Sequence, residues 1–306
     1  MWEVGPRAFE SFPACGMVVR HLKGERVDAN RLESGFLRHV QACHSAVLPG
    51  ERIPFRVGTR QVGWVRPRLA DRLGQFPEIV RDGTGVTLPI PVALPELART
   101  LAAEGCYRWR NEAFDVRADP NGPALTQIDR GAVPAFGILA VGVHVNGLVQ
   151  RKDGLHVWVA RRAPNKQLDP NKLDHIVAGG VPAGLSVQET LVKEAAEEAA
   201  IPAHLASQAR LVATLGYAME RPEGLRRDHL YCYDLSLPET FKPRAADGEV
   251  AGFELWPIER VAEAVGTSDD FKFNVNLVLI DLFIRQGLVT DGAAKRLRGA
   301  LSAGSA

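Results

Sequence analysis

The chain is poor in most of the features that would place it in a special class. Cysteine is scarce. Its four cysteines, Cys15, Cys43, Cys106 and Cys232, are far apart and form no CxxC pair. That spacing excludes a disulfide framework or a zinc ribbon and predicts free, reduced thiols. Cys43-His44 has no second ligand pair at a metal-binding spacing and is not read as a metal site. No run approaches the ~18 apolar residues of a transmembrane helix, so no membrane partner is expected. The first residues carry Glu3, Arg7 and Glu10 and lack a continuous apolar core, which argues against a secretory signal. A cytoplasmic protein is the expectation. Neither charge sign dominates: 37 Lys and Arg face 36 Asp and Glu, net +1. That balance argues against a nucleic-acid coat, while leaving room for a local basic pocket. There is no internal repeat and no low-complexity tract.

What is present is an ordinary globular composition, 46% apolar and 24% charged, over 306 residues, enough for two domains or one large one. Residues 1–28 lack periodicity and read as a leader. Leu32, Phe36 and Val40 recur at a spacing of four and predict a helix from about Asn30 to Cys43. Ile53–Val57 and Val62–Val65, separated by Gly58-Thr59-Arg60-Gln61, read as a β-hairpin. Pro67 and Leu94-Pro95 open two further short helices. Short strands are expected around Trp109 and at Phe114-Asp115-Val116, with Trp64 and Trp109 read as core. These elements make a small α+β unit over 29–125. Asp119-Pro120-Asn121-Gly122-Pro123 and Gly131-Ala132-Val133-Pro134 are linker-like. A second domain is expected over 130–290, followed by a frayed tail over 291–306.

Phe136 to Val145 predicts a strand ending at a turn, Asn146-Gly147, with Leu148-Val149 returning and Leu155 to Ala160 as the next strand. His144 on that strand is read as a structural histidine. Leu211–Met219 and His229–Leu235 are strands flanking a polar turn, Gly224 to Asp228. Ile258–Val265 opens a helix, and Leu277–Ile284 belongs to an apolar closing helix.

The stretch from Ala178 to Ile201 is the most informative. A glycine-rich loop leads to Ser186 and Glu189, the spacing of a capping box, so a helix starts there. Val187, Leu191 and Ala195 form its buried stripe, and Pro202 marks its end. Glu194, Glu197 and Glu198 share one side of this helix near its C-terminus, where the macrodipole disfavours negative charge. Such a run of glutamates is often only a solvated face. A divalent cation would turn their mutual repulsion into attraction, and Mg²⁺ is a hard ion that takes carboxylates together with substrate phosphates.

The spacing resembles the Nudix box, Gly-x5-Glu-x7-Arg-Glu-U-x-Glu-Glu-x-Gly-U with U aliphatic. Gly179 falls on the first glycine, Glu194, Glu197 and Glu198 on the late glutamates, and Ile201 on the last aliphatic position. Leu185 replaces the early glutamate, Lys193 the arginine and Ala200 the late glycine. Ala200 asks only for a less glycine-like helix exit. The flanking text, Leu173-Asp174-His175 through Gly180 and Val192-Lys193-Glu194, is similar to a Nudix branch related to thiamine pyrophosphokinase, in which these departures are expected. Phe36-Leu37-Arg38, Ile53-Pro54-Phe55 and Val62-Gly63 resemble the accessory domain of that branch.

The resemblance implies a Nudix α/β/α sandwich with a mixed sheet, preceded by the small α+β accessory domain. It implies a Mg²⁺-dependent enzyme, with Mn²⁺ the alternative ion. Glu194 and Glu198 would hold the metal, Glu197 would serve as ligand or base, and the Ala178 carbonyl would add a ligand. Glu249 is the candidate further ligand, with Asp247 in reserve. Candidate substrate contacts are Arg161, Arg162, Lys166, Asp174, Gly179, Gly180, Arg227 and Lys272, with Asn274 a further one. For Arg227, pairing with Asp228 is the favoured alternative. The reaction implied is hydrolysis of a small-molecule diphosphate, thiamine diphosphate or its oxidised or damaged analogues, to the monophosphate and phosphate. Trp158, Tyr217, Trp256 and Phe273 are the aromatic residues available to a flat ring. The alternatives are an ADP-sugar or dinucleotide pyrophosphatase, and a Nudix-fold sensor that binds without cleaving. A kinase would need a fused ATP-binding domain, which is not expected. A dimer is the candidate assembly, with the oligomeric state left open.

Overall fold

The computed structural model describes residues 29–246 and 248–303. The expected leader and the reserve ligand Asp247 lie outside the described residues. The first helix, α1 (Ala29–Cys43), and the hairpin β1 (Ile53–Val57) and β2 (Arg60–Val65) stand where periodicity puts them, followed by α2 (Pro67–Leu73). Two strands have no counterpart in the sequence reading: β3 (Val80–Asp82) and β4 (Gly85–Leu88). β4 pairs in parallel with β1 and completes a four-stranded sheet, β2-β1-β4-β3. α3 (Leu94–Ala103) packs Leu94, Leu97, Ala98 and Leu101 into its core.

The expected boundary between the linkers is bridged by a strand pair. β5 (Ala113–Val116) pairs with β6 (Thr126–Asp129), and both oxygens of the buried Asp129 carboxylate accept backbone N–H groups, from Arg110 and Gly131 and from Glu112. The supposed linker is therefore pinned rather than loose. The segment around Trp109 forms no strand, and Trp64 and Trp109 are only partly buried. After the short helix α4 (Val133–Phe136) comes the long strand β7 (Leu139–Arg151).

β7 does not turn at Asn146-Gly147. It runs on to Arg151 and turns there into β8 (Gly154–Arg162). Asn146-Gly147 is instead the point where β7 changes partners. Up to Val145 its neighbour is β10 (Val177–Gly180), and from Gly147 onward it is β8. Asn146 is buried and donates to Asp234 at 2.9 Å, and Ile176 packs against Gly147, so both turn-forming residues serve the fork. The short strand β9 (Leu173–Asp174) pairs with β8. With β11 (Arg210–Arg221), β12 (Gly224–Ser236) and β13 (Val250–Pro257), this is a mixed sheet in the order β11-β12-β7-β8-β13, in which β12 runs parallel to β7. Gly224 to Asp228, expected as a turn, is the paired start of β12; the reversal falls at Arg221–Gly224.

One face of the sheet is covered by α5 (Val187–Ala199) and α6 (Ala203–Ala206), through Leu191, Ala195, Ala199 and Ala206. The other face carries α7 (Ile258–Thr267), α8 (Val275–Arg285) and α9 (Asp291–Ser302). The result is an α/β/α sandwich. Two helices on the second face correct the domain scheme. α1, from the expected accessory unit, packs Phe36, Val40 and Cys43 into this core, with the Phe36 ring 5.5 Å from that of Phe283. α9 falls in the expected frayed tail, yet Thr290 caps it and Ala293, Ala294, Leu297 and Leu301 are buried.

Candidate active site

The helix that carries the glutamates is built as its capping box dictates. Ser186 Oγ accepts the Glu189 N–H, and the Glu189 carboxylate accepts the Ser186 N–H at 2.9 Å. At the other end Ala200 adopts the left-handed conformation, φ +52°. The exit is thus the glycine-type exit after all, made by an alanine.

Strand β10 brings Ala178, Gly179 and Gly180 alongside this helix. The Ala178 N–H donates to Glu198 Oε2 at 2.8 Å. Gly179 faces Glu194: a Cβ built there would stand 2.6 Å from Glu194 Cδ. Gly180 faces the ring of Phe114 from β5, at 2.5 Å from an added Cβ. The two glycines are required by close approach, one to a candidate ligand and one to the accessory unit. The loop beyond them is tied to the same strand, with the Ala183 N–H donating to the Ala113 carbonyl at 2.8 Å.

The three glutamates are not equivalent. Glu198 is only 8% exposed. Burial raises its pKa well above the usual carboxylate range, the Ala178 N–H opposes this, and Asp174, Glu194 and Glu249 add repulsion. Burial also raises that of Glu194; Lys193 opposes it, and Glu197 and Glu249 push further upward. Glu197 is exposed and held by Lys193 at 2.5 Å. Glu249 stands just before β13 and is ion-paired with Lys166. Burial raises its pKa, but Lys166, Arg130 and Arg162 outweigh burial and bring it down. Carboxylates that displace one another's titration upward form a donor set short of positive charge, and a hard divalent cation fits it. Glu194 and Glu198 are brought together by the helix and β10. Glu249 lies within their electrostatic reach, and Glu197 points toward solvent and Lys193.

The candidate substrate cations are mostly committed elsewhere. Arg162 is buried and donates to Asp174 at 2.8 Å and to the carbonyls of Leu168 and Asp169. Lys272, partly buried, lies 3.8 Å from the same carboxylate. Burial depresses the Lys272 amine and Asp174 counters this. Asp174 is therefore the buried counter-ion of Arg162 and the partly buried Lys272 rather than an open substrate contact. Arg161 is exposed and donates to the Asn171 carbonyl. Arg227 donates to the Gly137 carbonyl at 3.3 Å, and the partner of Asp228 is Arg226 at 3.1 Å, not Arg227. Asn274 is buried 3.5 Å from both His144 and the Tyr217 hydroxyl.

His144 and His175 face each other with Nδ1 atoms 3.0 Å apart. With Asp174 they place three donor atoms within 4.8 Å. Arg162 and Lys272 already supply the positive charge this carboxylate needs, so the cluster is a buried polar network that supports the reading of His144 as structural.

Trp158, Tyr217 and Trp256 are buried, and Phe273 lies beneath Arg221 and Arg226. Trp256 does line a cleft of about 530 Å³ with Arg161 and Lys172, but Arg260 covers its ring at 3.7 Å from the centroid. Phe114 and Tyr231 do line a cleft of about 220 Å³ between β5 and the glycine loop, with Val141, Leu185 and Val187. Nothing in the local sequence around Phe114 or Tyr231 signals this, because the cleft is made where distant segments meet. Leu185, in place of the early glutamate, supplies part of its apolar wall.

Among the described residues no helix is long and apolar enough to cross a membrane. The NUDIX domain model matches residues 140–276, and a domain of unknown function, DUF4743, matches 35–140. The chain is 38% identical over 269 residues to "Nudix hydrolase 24, chloroplastic" of Arabidopsis thaliana, covering 84% of this chain and 74% of that protein. It is 35% identical over 277 residues to "Nudix hydrolase 20, chloroplastic" of the same plant, with the same coverage. A solved structure, DR0079 from Deinococcus radiodurans, is 21% identical with a TM-score of 0.42, over 55% of this chain and 97% of that one. Taken with the glycine strand and the glutamate helix, the NUDIX match and the two plant relatives establish that the chain belongs to the Nudix hydrolase family.

Proposed function

We propose that the chain is a Mg²⁺-dependent diphosphatase in which Glu194 and Glu198 hold the metal and Glu249 completes the set, with Mn²⁺ as a substitute ion. The observation that carries this is the pairing of Glu198 with the Ala178 N–H and of Glu194 with the bare Gly179, on one helix, with burial and neighbouring carboxylates raising the pKa of both. The bound ion would supply charge neutralisation for the diphosphate and a more acidic water. The chain's own part is positioning, which dominates phosphoryl transfer. The Ala178 N–H fixes one Glu198 oxygen, and Gly179 lets Glu194 close on the strand. Glu197, exposed beside Lys193, is the group able to orient water or take its proton.

For the substrate, the sequence resemblance to the branch related to thiamine pyrophosphokinase supports thiamine diphosphate or its oxidised or damaged analogues. The ring would lie in the cleft between Phe114 and Tyr231. The alternative is an ADP-sugar or dinucleotide, favoured by the same cleft, since a base stacks on Tyr231 equally well. A panel of these diphosphates, with and without Mg²⁺ and scored for product release, separates the two. Glu198→Gln keeps the fold. Outer partners of metal ligands already cost about 10–100-fold, so a direct ligand is expected to cost at least about 100-fold in turnover. Wild-type turnover in Glu198→Gln would refute the metal assignment.

A further inference from the structure

The cleft against Trp256 lies away from the glutamates. It opens between β8, β13, the first turn of α7 and the segment leading into β9. Leu173 and Trp256 in its wall belong to the core beneath α7 and α8, while α5 stands on the other face of the sheet. No residue of α5 or β10 lines it. At about 530 Å³ it falls within the ~300–1,000 Å³ of small-molecule sites. Its rim is fixed by the backbone: the Lys172 carbonyl accepts the Arg162 N–H at 2.9 Å, and the Leu173 N–H donates to the Asp270 carbonyl at 2.8 Å.

Three cations line this cleft, Arg161, Lys172 and Arg260, with two carboxylates, Glu254 and Asp270. Elsewhere such neighbours pair, as Arg285 does with Asp234 and Asp281. Here, among the described residues, none of the five forms an ion pair. Arg161 Nη1 donates to the Asn171 carbonyl at 3.1 Å and Lys172 Nζ to the Asp269 carbonyl, and each keeps further donors open. Glu254 accepts only the Trp256 Nε1–H, at 2.9 Å, and the Asp270 carboxylate accepts no hydrogen bond. Arg260 is the most exposed in its chemistry. Its guanidinium is stacked 3.7 Å from the Trp256 centroid, and none of its N–H groups is bonded. Stacking holds the planar fork through the one contact that leaves its in-plane donors free. A fork fixed in advance meets phosphate oxygens two at a time with little further ordering.

We propose that this cleft is a second binding site, for a phosphate monoester whose body carries hydroxyl or amino groups. Arg260, Arg161 and Lys172 take the phosphate, and Glu254 and Asp270 accept the donors. Opposite charges held apart in one cleft match a ligand that carries both kinds of group. The site stands or falls independently of the diphosphatase reading.

The test is calorimetric titration of the full chain with AMP and with inorganic phosphate, with no divalent ion added, so that the glutamates of α5 repel both probes. Wild type is expected to bind AMP at least about tenfold more tightly than phosphate, the worth of one hydrogen bond to a carboxylate. Arg260→Ala and Arg161→Ala, both at exposed positions, are each expected to weaken AMP about ten- to hundredfold, the scale of a lost charged hydrogen bond, at an unchanged urea midpoint. Asp270→Ala narrows the gap between the probes, since AMP loses an acceptor and phosphate loses a repelling charge. Glu198→Gln leaves both affinities as in wild type. AMP that binds no more tightly than phosphate, or as tightly to the two arginine variants as to wild type, overturns the proposal. Wild type that binds neither probe does so as well. Binding lost in Glu198→Gln but kept in Arg260→Ala assigns the ligand to the glutamates and also overturns it.

Discussion

Replacing Gly179 by alanine perturbs the site without altering a single candidate ligand. The new Cβ would stand 2.6 Å from Glu194 Cδ and 2.7 Å from its Cγ and Oε2. Non-bonded heavy atoms settle at about 3.5–4 Å, so the carboxylate has to retreat by roughly 1 Å. The obstacle is the end of a flexible side chain, and Gly179 is not among the glycines at positive φ, so the backbone accepts alanine. Folding therefore loses little: an off-rotamer side chain costs about 0.5–1.5 kcal/mol. Catalysis loses more, because a 1 Å misplacement costs about 100-fold, or roughly 2.7 kcal/mol in the barrier. The assay is kcat and the Mg²⁺ concentration for half-activation, beside a urea unfolding curve. Gly180→Ala is the contrast: its Cβ would meet the packed Phe114 ring at 2.5 Å. There the expected cost is about 1–3 kcal/mol of stability. If Gly179→Ala keeps turnover within about threefold of wild type, or loses it only in step with the folded fraction, Glu194 is not held as argued.

Two other predictions test how the site is supported. Ala200→Gly is expected to stabilise the chain, because a left-handed residue with a side chain costs about 1–2 kcal/mol and glycine's extra freedom when unfolded returns about 0.5–1 kcal/mol. A higher urea midpoint at unchanged slope is the expected outcome, and an equal or lower one would contradict the helix-exit geometry. Acid lability follows from two buried groups. Burial brings the His175 pKa down to about 4, so its contribution to stability, full above about pH 6.5, is lost as pH falls toward 4. Burial raises that of Asp174, but Lys272 and Arg162 together overcome it and hold it at about 2. Its contribution is therefore full above about pH 4 and lost as pH falls toward 2. Asp174→Asn is expected to cost about 3–5 kcal/mol at neutral pH and to flatten the lower of these two steps in urea midpoints measured against pH.

The sequence carried whatever rests on neighbours along the chain. The capping box at Ser186, the glutamate face of α5 and the hairpin of β1 and β2 are local patterns, and each formed as read. Residues that look like turns failed where the sheet used them otherwise. Asn146-Gly147 has strong turn chemistry, yet a buried Asp234 needs the amide and Ile176 needs the missing side chain. β3 and β4 were too short for a pattern, and the parallel pairing of β4 with β1 has no local signature. α9 was legible and passed over: Ala293, Leu297 and Leu301 recur at a spacing of four behind a threonine cap. In the site, the carboxylates of α5 could be read in advance. Glu249 was a candidate too, but Phe114 and Tyr231 could not be foreseen, because they arrive through tertiary contact. The true partners of Arg162 and Arg227 were equally hidden, since ion pairing is decided by which strands become neighbours.

α1 and α9 meet on the face of the sheet opposite α5, joined there by the bidentate Arg296–Glu33 pair at 2.5 and 2.8 Å. The start and the end of the described chain thus clasp the back of the hydrolase like the two ends of a belt. A cut at residue 140, where the two family matches meet, would part α1 from the core it shares with α7, α8 and α9. What looks in the primary structure like a prefix to the enzyme is, in three dimensions, part of its wall.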